Sequence, residues 1–158
     1  MTAEIFRLEH DHTHLSRVVT ELRQAARMIE RGESDAAARE EFVSVLVALS
    51  DELFDHFARE EEGLFPYLAE QFPDMRDALR DFERAHDRIC GAASRITAAA
   101  SKGPDAIAQQ VPWITSLFAR FDAHYAEHAR RESELLRTLH ARLSDEQRAA
   151  LSTILRGL

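Results

Sequence analysis

Residues 55–66 read DHFAREEEGLFP. The spacing around this stretch predicts a helix. Phe42, Leu46, Leu49 and Leu53 lead into it and Leu64 and Leu68 lead out, an apolar stripe with three- and four-residue steps. His56 and Glu60 fall on the same stripe. A helix with such a stripe buries it against neighbouring helices, so the pattern turns an imidazole and a carboxylate toward an interior. An ionised glutamate left unpaired there would cost several kcal/mol. The stretch therefore predicts a fold of packed helices and an interior that answers the charge.

Three further stripes carry the same kind of interruption. The first runs Ile5, Leu8, Leu15, Val19, Leu22, Ala26 and Ile29, with His12 in its path, and ends near Arg31-Gly32, where glycine suits a helix C-terminus. Ser34 is the expected cap of the helix that follows. Within that second helix Pro66 predicts a kink. The third stripe runs Met75, Leu79, Phe82, Ile89, Ala93 and Ile96, is broken by His86, and stops around Ser101 to Pro104. The fourth runs Ile114, Leu117, Phe121, Tyr125, Leu135 and Leu139, broken by His128 and Glu132. Pro112 places its regular start near Trp113, after a looser connection. Four long helices with mostly short connections predict an all-α, antiparallel up-down four-helix bundle over about residues 4–142. Ser144 to Gln147, SDEQ, resembles a capping box and opens a short fifth helix over about 145–156.

Composition bounds the function classes. The 158 residues fit one domain, 1–158, and five Gly with four Pro favour long helices over many turns. A formal charge of −8 without any basic stripe argues against nucleic acid. The apolar runs are too short to span a bilayer, and the N-terminus lacks the apolar core of a signal peptide. The expected compartment is the cytoplasm. Cys90 is the lone cysteine, which excludes an intrachain disulfide and a cysteine-based zinc cage.

The interruptions repeat. His12 precedes His56-x-x-x-Glu60 by 44 residues, and His86 precedes His128-x-x-x-Glu132 by 42. Both pairs sit in H-x-x-R-E-x-E. Residues four apart lie on adjacent turns of one helix face, so an imidazole and a carboxylate can reach one cation, or the carboxylate can bridge two. Folding the helices back on one another brings His12, His56, Glu60, His86, His128 and Glu132 to one level. Four imidazoles with two carboxylates suit a pair of transition-metal ions, with iron, manganese and zinc all compatible by ligand type. Glu61, Tyr125 and His124 lie close enough in sequence to support these ligands from behind. His10, His14 and His140 point off the stripes and are expected in solvent.

EHDHTHL (9–15), HFAREEEGLFP (56–66), AHDRI (85–89) and HARRESELL (128–136) resemble the hemerythrin-like, or HHE, cation-binding family over about residues 5–140. The resemblance implies a four-helix bundle with two non-haem irons, oxo- or hydroxo-bridged. It assigns His12, His56, His86 and His128 as ligands and Glu60 and Glu132 as bridges. Oxygen-carrying members have a histidine where this chain has Cys90. The remaining ligand set is similar to that of di-iron proteins responding to nitric oxide and oxidative damage, although their cysteine-containing N-terminal extension is absent. The expected function is a di-iron protein that binds or reacts with O2, NO or peroxide, in sensing, detoxification or iron-centre stress response. Two alternatives stand beside it. Glu9-x-x-His12 and Glu83-x-x-His86 match the spacing of ferritin-like di-iron carboxylate proteins. A non-catalytic helical module holding zinc or no metal is the other.

Overall fold

Each long apolar stripe becomes a helix in the computed structural model, which describes residues 3–158 without the side chains of Ala3 and Phe6. The elements are α1 (Ala3–Glu30), α2 (Ala36–Arg59), a π-helical turn (Glu60–Leu64), α3 (Phe65–Gln71), a 3-10 turn (Pro73–Met75), α4 (Arg76–Ala100), α5 (Pro104–Gln109), α6 (Val111–Arg142) and α7 (Asp145–Arg156). Among the described residues there is no strand. Helix α1 packs on α2 and α6, and α4 packs on the same two, so the four long helices close a ring around a common interior.

That interior is two apolar cores rather than one. The first gathers Leu15, Val19, Leu46, Leu53, Ile89, Ile96 and Phe121. The second gathers Ile5, Leu8, Leu64, Leu68, Phe82, Leu135 and Leu139. Along every long stripe the border between the two falls at a polar interruption: His12 on α1, Glu60 just past the end of α2, His86 on α4, and His128 with Glu132 on α6. A polar layer thus divides the hydrophobic interior.

The connections differ in detail from what the sequence predicts. Gly32 has φ +70° and closes α1, its N–H bonding to the Ile29 carbonyl while Glu33 N–H reaches Met28. The cap of α2 is Asp35, whose carboxylate accepts from Ala38 N–H at 2.8 Å, and not Ser34. The Ser34 carbonyl is taken instead by the Arg39 guanidinium. Residues 101–112 do not wander. Gly103, at φ +100°, reverses the chain, Pro104 restarts it as α5, and Ile107 is fully buried. The fourth long helix therefore begins at Val111, two residues before Trp113. The capping box at Ser144 forms with both reciprocal bonds, to and from Gln147.

Just before Pro66 the helix widens into the π turn. Phe65 N–H bonds to the Glu60 carbonyl, five residues back. Proline has no N–H and its ring crowds the carbonyl four residues earlier, so the preceding turn opens to accommodate it. Gly63 sits in this wide turn, and α7 lies over it: a Cβ there would come within 2.7 Å of Leu158 Cδ1 and 3.0 Å of Leu155 Cδ2.

Candidate metal centre

The polar layer is built from one side chain on α1, two from α2 and its π turn, one on α4 and two on α6. His56, Glu60, His86, His128 and Glu132 are all buried, while His12 is half-buried at the edge. Their donor atoms fall into two sets, one of Glu60, His86 and His128, the other of His56, Glu60 and Glu132, with every atom of a set within 4.8 Å of the rest. Glu60 belongs to both: Oε1 lies 3.3 Å from His56 Nε2 and Oε2 lies 3.1 Å from His86 Nε2. Glu132 spans the layer in the same manner, Oε1 at 3.2 Å from His56 Nε2 and Oε2 at 3.3 Å from His128 Nε2. His12 joins through Nδ1, 2.9 Å from Glu132 Oε2.

These short separations are not a satisfied hydrogen-bond network. Glu60 Oε2 and His86 Nε2 are close but neither is aligned to bond. His128 bonds through neither ring nitrogen, and His56 Nδ1 is also without a partner. Of the seven buried side-chain polar atoms lacking a partner among the described residues, five belong to these four residues. Each such orphan costs about 1–3 kcal/mol. Donor atoms about 3 Å apart are the edges expected of a polyhedron whose ligands sit roughly 2 Å from one ion. The residues present therefore fit metal cations, and a helix pair alone has no use for them.

Electrostatics point the same way. Burial drives the His56 imidazolium down, but the Glu60 charge and the bonds to Glu132 and Glu60 outweigh it and push its pKa up to about 10. His12 is raised chiefly by its bond to Glu132. For His86, burial is again overcome, by Glu60 and then Glu61. Burial lifts the Glu132 carboxyl, yet three histidines hold it well below the usual carboxylate range. Carboxylates thus favour the protonated forms of His12, His56 and His86, and a cation taking those nitrogens would have to displace the protons.

The surrounding side chains orient and wall the layer. Glu61 Oε1 accepts from His86 Nδ1 at 2.6 Å, which fixes the tautomer and turns the Nε2 lone pair inward. The wide π turn lets consecutive residues, Glu60 and Glu61, engage the same imidazole from two sides. Phe57 stacks on His86 at 3.8 Å between centroids, and Phe65 and Phe82 flank the histidine pair. Tyr125 is buried beneath the layer, where its hydroxyl pairs with Ser16 at 3.1 Å and not with a donor of the layer. Burial, with the Glu132 and Glu60 charges, pushes its ionisation far up.

His124 does not support the site: it is exposed and lines an outer groove between α4 and α6. His10 is exposed, and His14 is held by Glu52 at 2.8 Å. His140 is not free in solvent, because α1 brings Glu9 to within 2.6 Å of it. That bond also removes Glu9 from the interior, and Glu83 is exposed on the outside of α4, so the ferritin-like carboxylate pattern does not assemble. The Cys90 thiol is half-buried, with its pKa pushed up to about 11 by burial and by Glu61 and Asp87. The π turn had one sequence signal, Pro66 after an acidic run.

Long helices packed around buried histidine and carboxylate donors place this chain among helical proteins with a candidate cation site in their interior. The family description "Hemerythrin HHE cation binding domain" matches residues 4–150, and the chain belongs to that family. No curated protein and no solved structure matches it. No described helix is long and apolar enough to cross a membrane.

Proposed function

We propose that this chain is a non-haem di-iron protein that binds or reacts with a small oxidant, O2, NO or peroxide, in sensing, detoxification or response to damage at iron centres. The reading takes the four long helices as an antiparallel up-down bundle within one domain acting in the cytoplasm, without nucleic-acid or membrane partners. The observation that carries it is the sharing of Glu60 between two buried donor sets, since one carboxylate reaching both sets can serve a pair of adjacent ions.

His12, His56, His86 and His128 would hold the ions, with Glu60 and Glu132 as the carboxylates within reach of both donor groups. Two irons, when bound, supply reversible electron transfer and coordination positions for a small ligand. The chain itself does the remaining work. Two histidines per ion leave positions unfilled, and Cys90, half-buried with its thiol held protonated, does not fill the place a further imidazole takes in oxygen carriers. Glu61 fixes the tautomer of His86. Phe57, Phe65 and Phe82 keep bulk water from the histidine pair. Iron is preferred over manganese and zinc on the family's ligand set, which the six donors match.

Metal analysis of protein purified without added metal, with optical spectra before and after exposure to O2 and NO, tests the reading. Two equivalents of iron and spectra that change with either gas are expected. His56→Ala and Glu60→Gln should lose iron, whereas Glu9→Ala and Glu83→Ala should keep it. Iron lost only in the Glu9 and Glu83 variants would restore the ferritin-like reading. Zinc alone, or a metal-free chain whose melting temperature ignores ferrous iron, would make it a helical module without redox chemistry.

A further inference from the structure

Two adjoining stretches of the sequence hold no acid. No Asp or Glu occurs between Asp87 and Asp105, nor between Asp105 and Asp122, in a chain with 28 acidic residues among 158. Asp122 is itself occupied, accepting from Arg23 Nε and Nη2 at 2.7 Å each. The fold lays these stretches side by side on α4 and α6, and their common outer face is a groove of about 370 Å3. Arg88 and Arg95 line it from α4, Arg120 and His124 from α6. Arg23, Arg84, Arg130 and Arg142 each bind a carboxylate. Among the described residues, Arg88, Arg95 and Arg120 have neither a salt bridge nor a side-chain hydrogen bond. On a molecule of net charge −8, three unpaired guanidinium groups around one groove are a local reversal of sign.

Gly91 adds an independent observation. It stands mid-helix between Arg88 and Arg95 on the groove face, where glycine costs about 1 kcal/mol relative to alanine. The fold does not require it. Its φ is not positive, and a Cβ there would meet no atom within 4 Å. What the missing side chain does is leave the groove floor bare between two arginines.

We infer that this groove is an anion site for a small phosphate-bearing molecule. Guanidinium forks match phosphate oxygens with paired hydrogen bonds, which a lysine cannot reproduce. Asp87 closes the end nearest His86 and turns the anionic part of a ligand toward Arg95 and Arg120. Ala92 and Leu117 supply an apolar wall for the remainder. The volume suits a small molecule, and the overall negative charge opposes an extended polyanion such as nucleic acid.

Inorganic pyrophosphate is the probe, titrated calorimetrically into the full chain, with Arg Nε–H resonances followed by NMR. Saturable binding is expected, with shifts confined to Arg88, Arg95 and Arg120. The double variant Arg95→Gln/Arg120→Gln should weaken binding at least about tenfold, and Gly91→Glu should abolish it while the melting curve shows the fold intact. Arg130→Gln, on a paired arginine outside the groove, should leave affinity unchanged. No saturable heat at millimolar pyrophosphate would overturn the assignment. So would equal weakening by Arg130→Gln, which would mean diffuse charge. Tighter binding to anionic phospholipid vesicles or to an oligonucleotide than to pyrophosphate would overturn it too.

Discussion

His56 is pulled in two directions. Burial opposes its charge, and two carboxylates on either side of it demand that charge. The carboxylates prevail, so in the metal-free protein His56 keeps its proton up to about pH 10, against 6.5 for an ordinary histidine. The stability this contributes is complete below pH 6.5 and lost as pH rises toward 10. Glu132 has the opposite sign: lowered from 4.5, it contributes stability above that pH, lost as pH falls. Chelator-treated protein should therefore melt highest between about pH 4.5 and 6.5 as far as this layer decides it, a window that thermal unfolding against pH would reveal. A cation must displace the His56 proton, so apparent metal affinity should climb from pH 6.5 toward 10, measurable by competition with a chelator of known strength. Cys90 gives a second residue-scale expectation. With its thiol raised from 9.0 to about 11, thiolate at pH 7 is about a hundredfold scarcer than for an ordinary cysteine. Its labelling by a disulfide reagent in the native protein should be slower by at least that factor than in urea.

At the scale of elements, the π turn is the least regular piece and the one nearest the chemistry. It follows α2 at Glu60, presents Glu60 and Glu61 to His86, and is covered by α7 at Gly63. Gly63→Ala should be nearly neutral. The closest atom is the far end of Leu158, an exposed C-terminal side chain that can move, and alanine favours the helix. Gly63→Leu adds three further carbons toward Leu158, Leu155 and Ile154, more than the tips of those side chains can yield, and should cost about 1–3 kcal/mol. Chemical denaturation of the two variants separates these outcomes, and loss of metal from Gly63→Leu alone would tie α7 to the placement of Glu60. The sequence made the long elements legible because each stripe persists over several turns. It misplaced the cap of α2 and the start of α6 because those depend on which of two adjacent polar residues, or which turn near a proline, finds a partner.

Across the whole molecule, a polar layer with orphaned donor atoms divides two apolar cores, and those orphans weigh against metal-free stability. Replacing His56, Glu60, His128 and Glu132 together with leucine should leave the metal-free chain as stable or more so, by about 1–4 kcal/mol. It should also remove any rise in melting temperature on adding ferrous iron, and a calorimetric scan with and without iron checks both halves. A large loss of stability in the metal-free quadruple variant would mean that the layer is itself a structural network. The four long stripes, the residues that interrupt them and their common level can be read from the chain alone, because helical period and side-chain chemistry are local and repeat along it. Which donors share a carboxylate, that Glu61 holds His86 while His124 faces outward, and that Glu9 is taken by His140 emerge only once the helices pack. Those outcomes depend on rotation about each helix axis and on partners distant in sequence, and packing of the four helices against one another sets both.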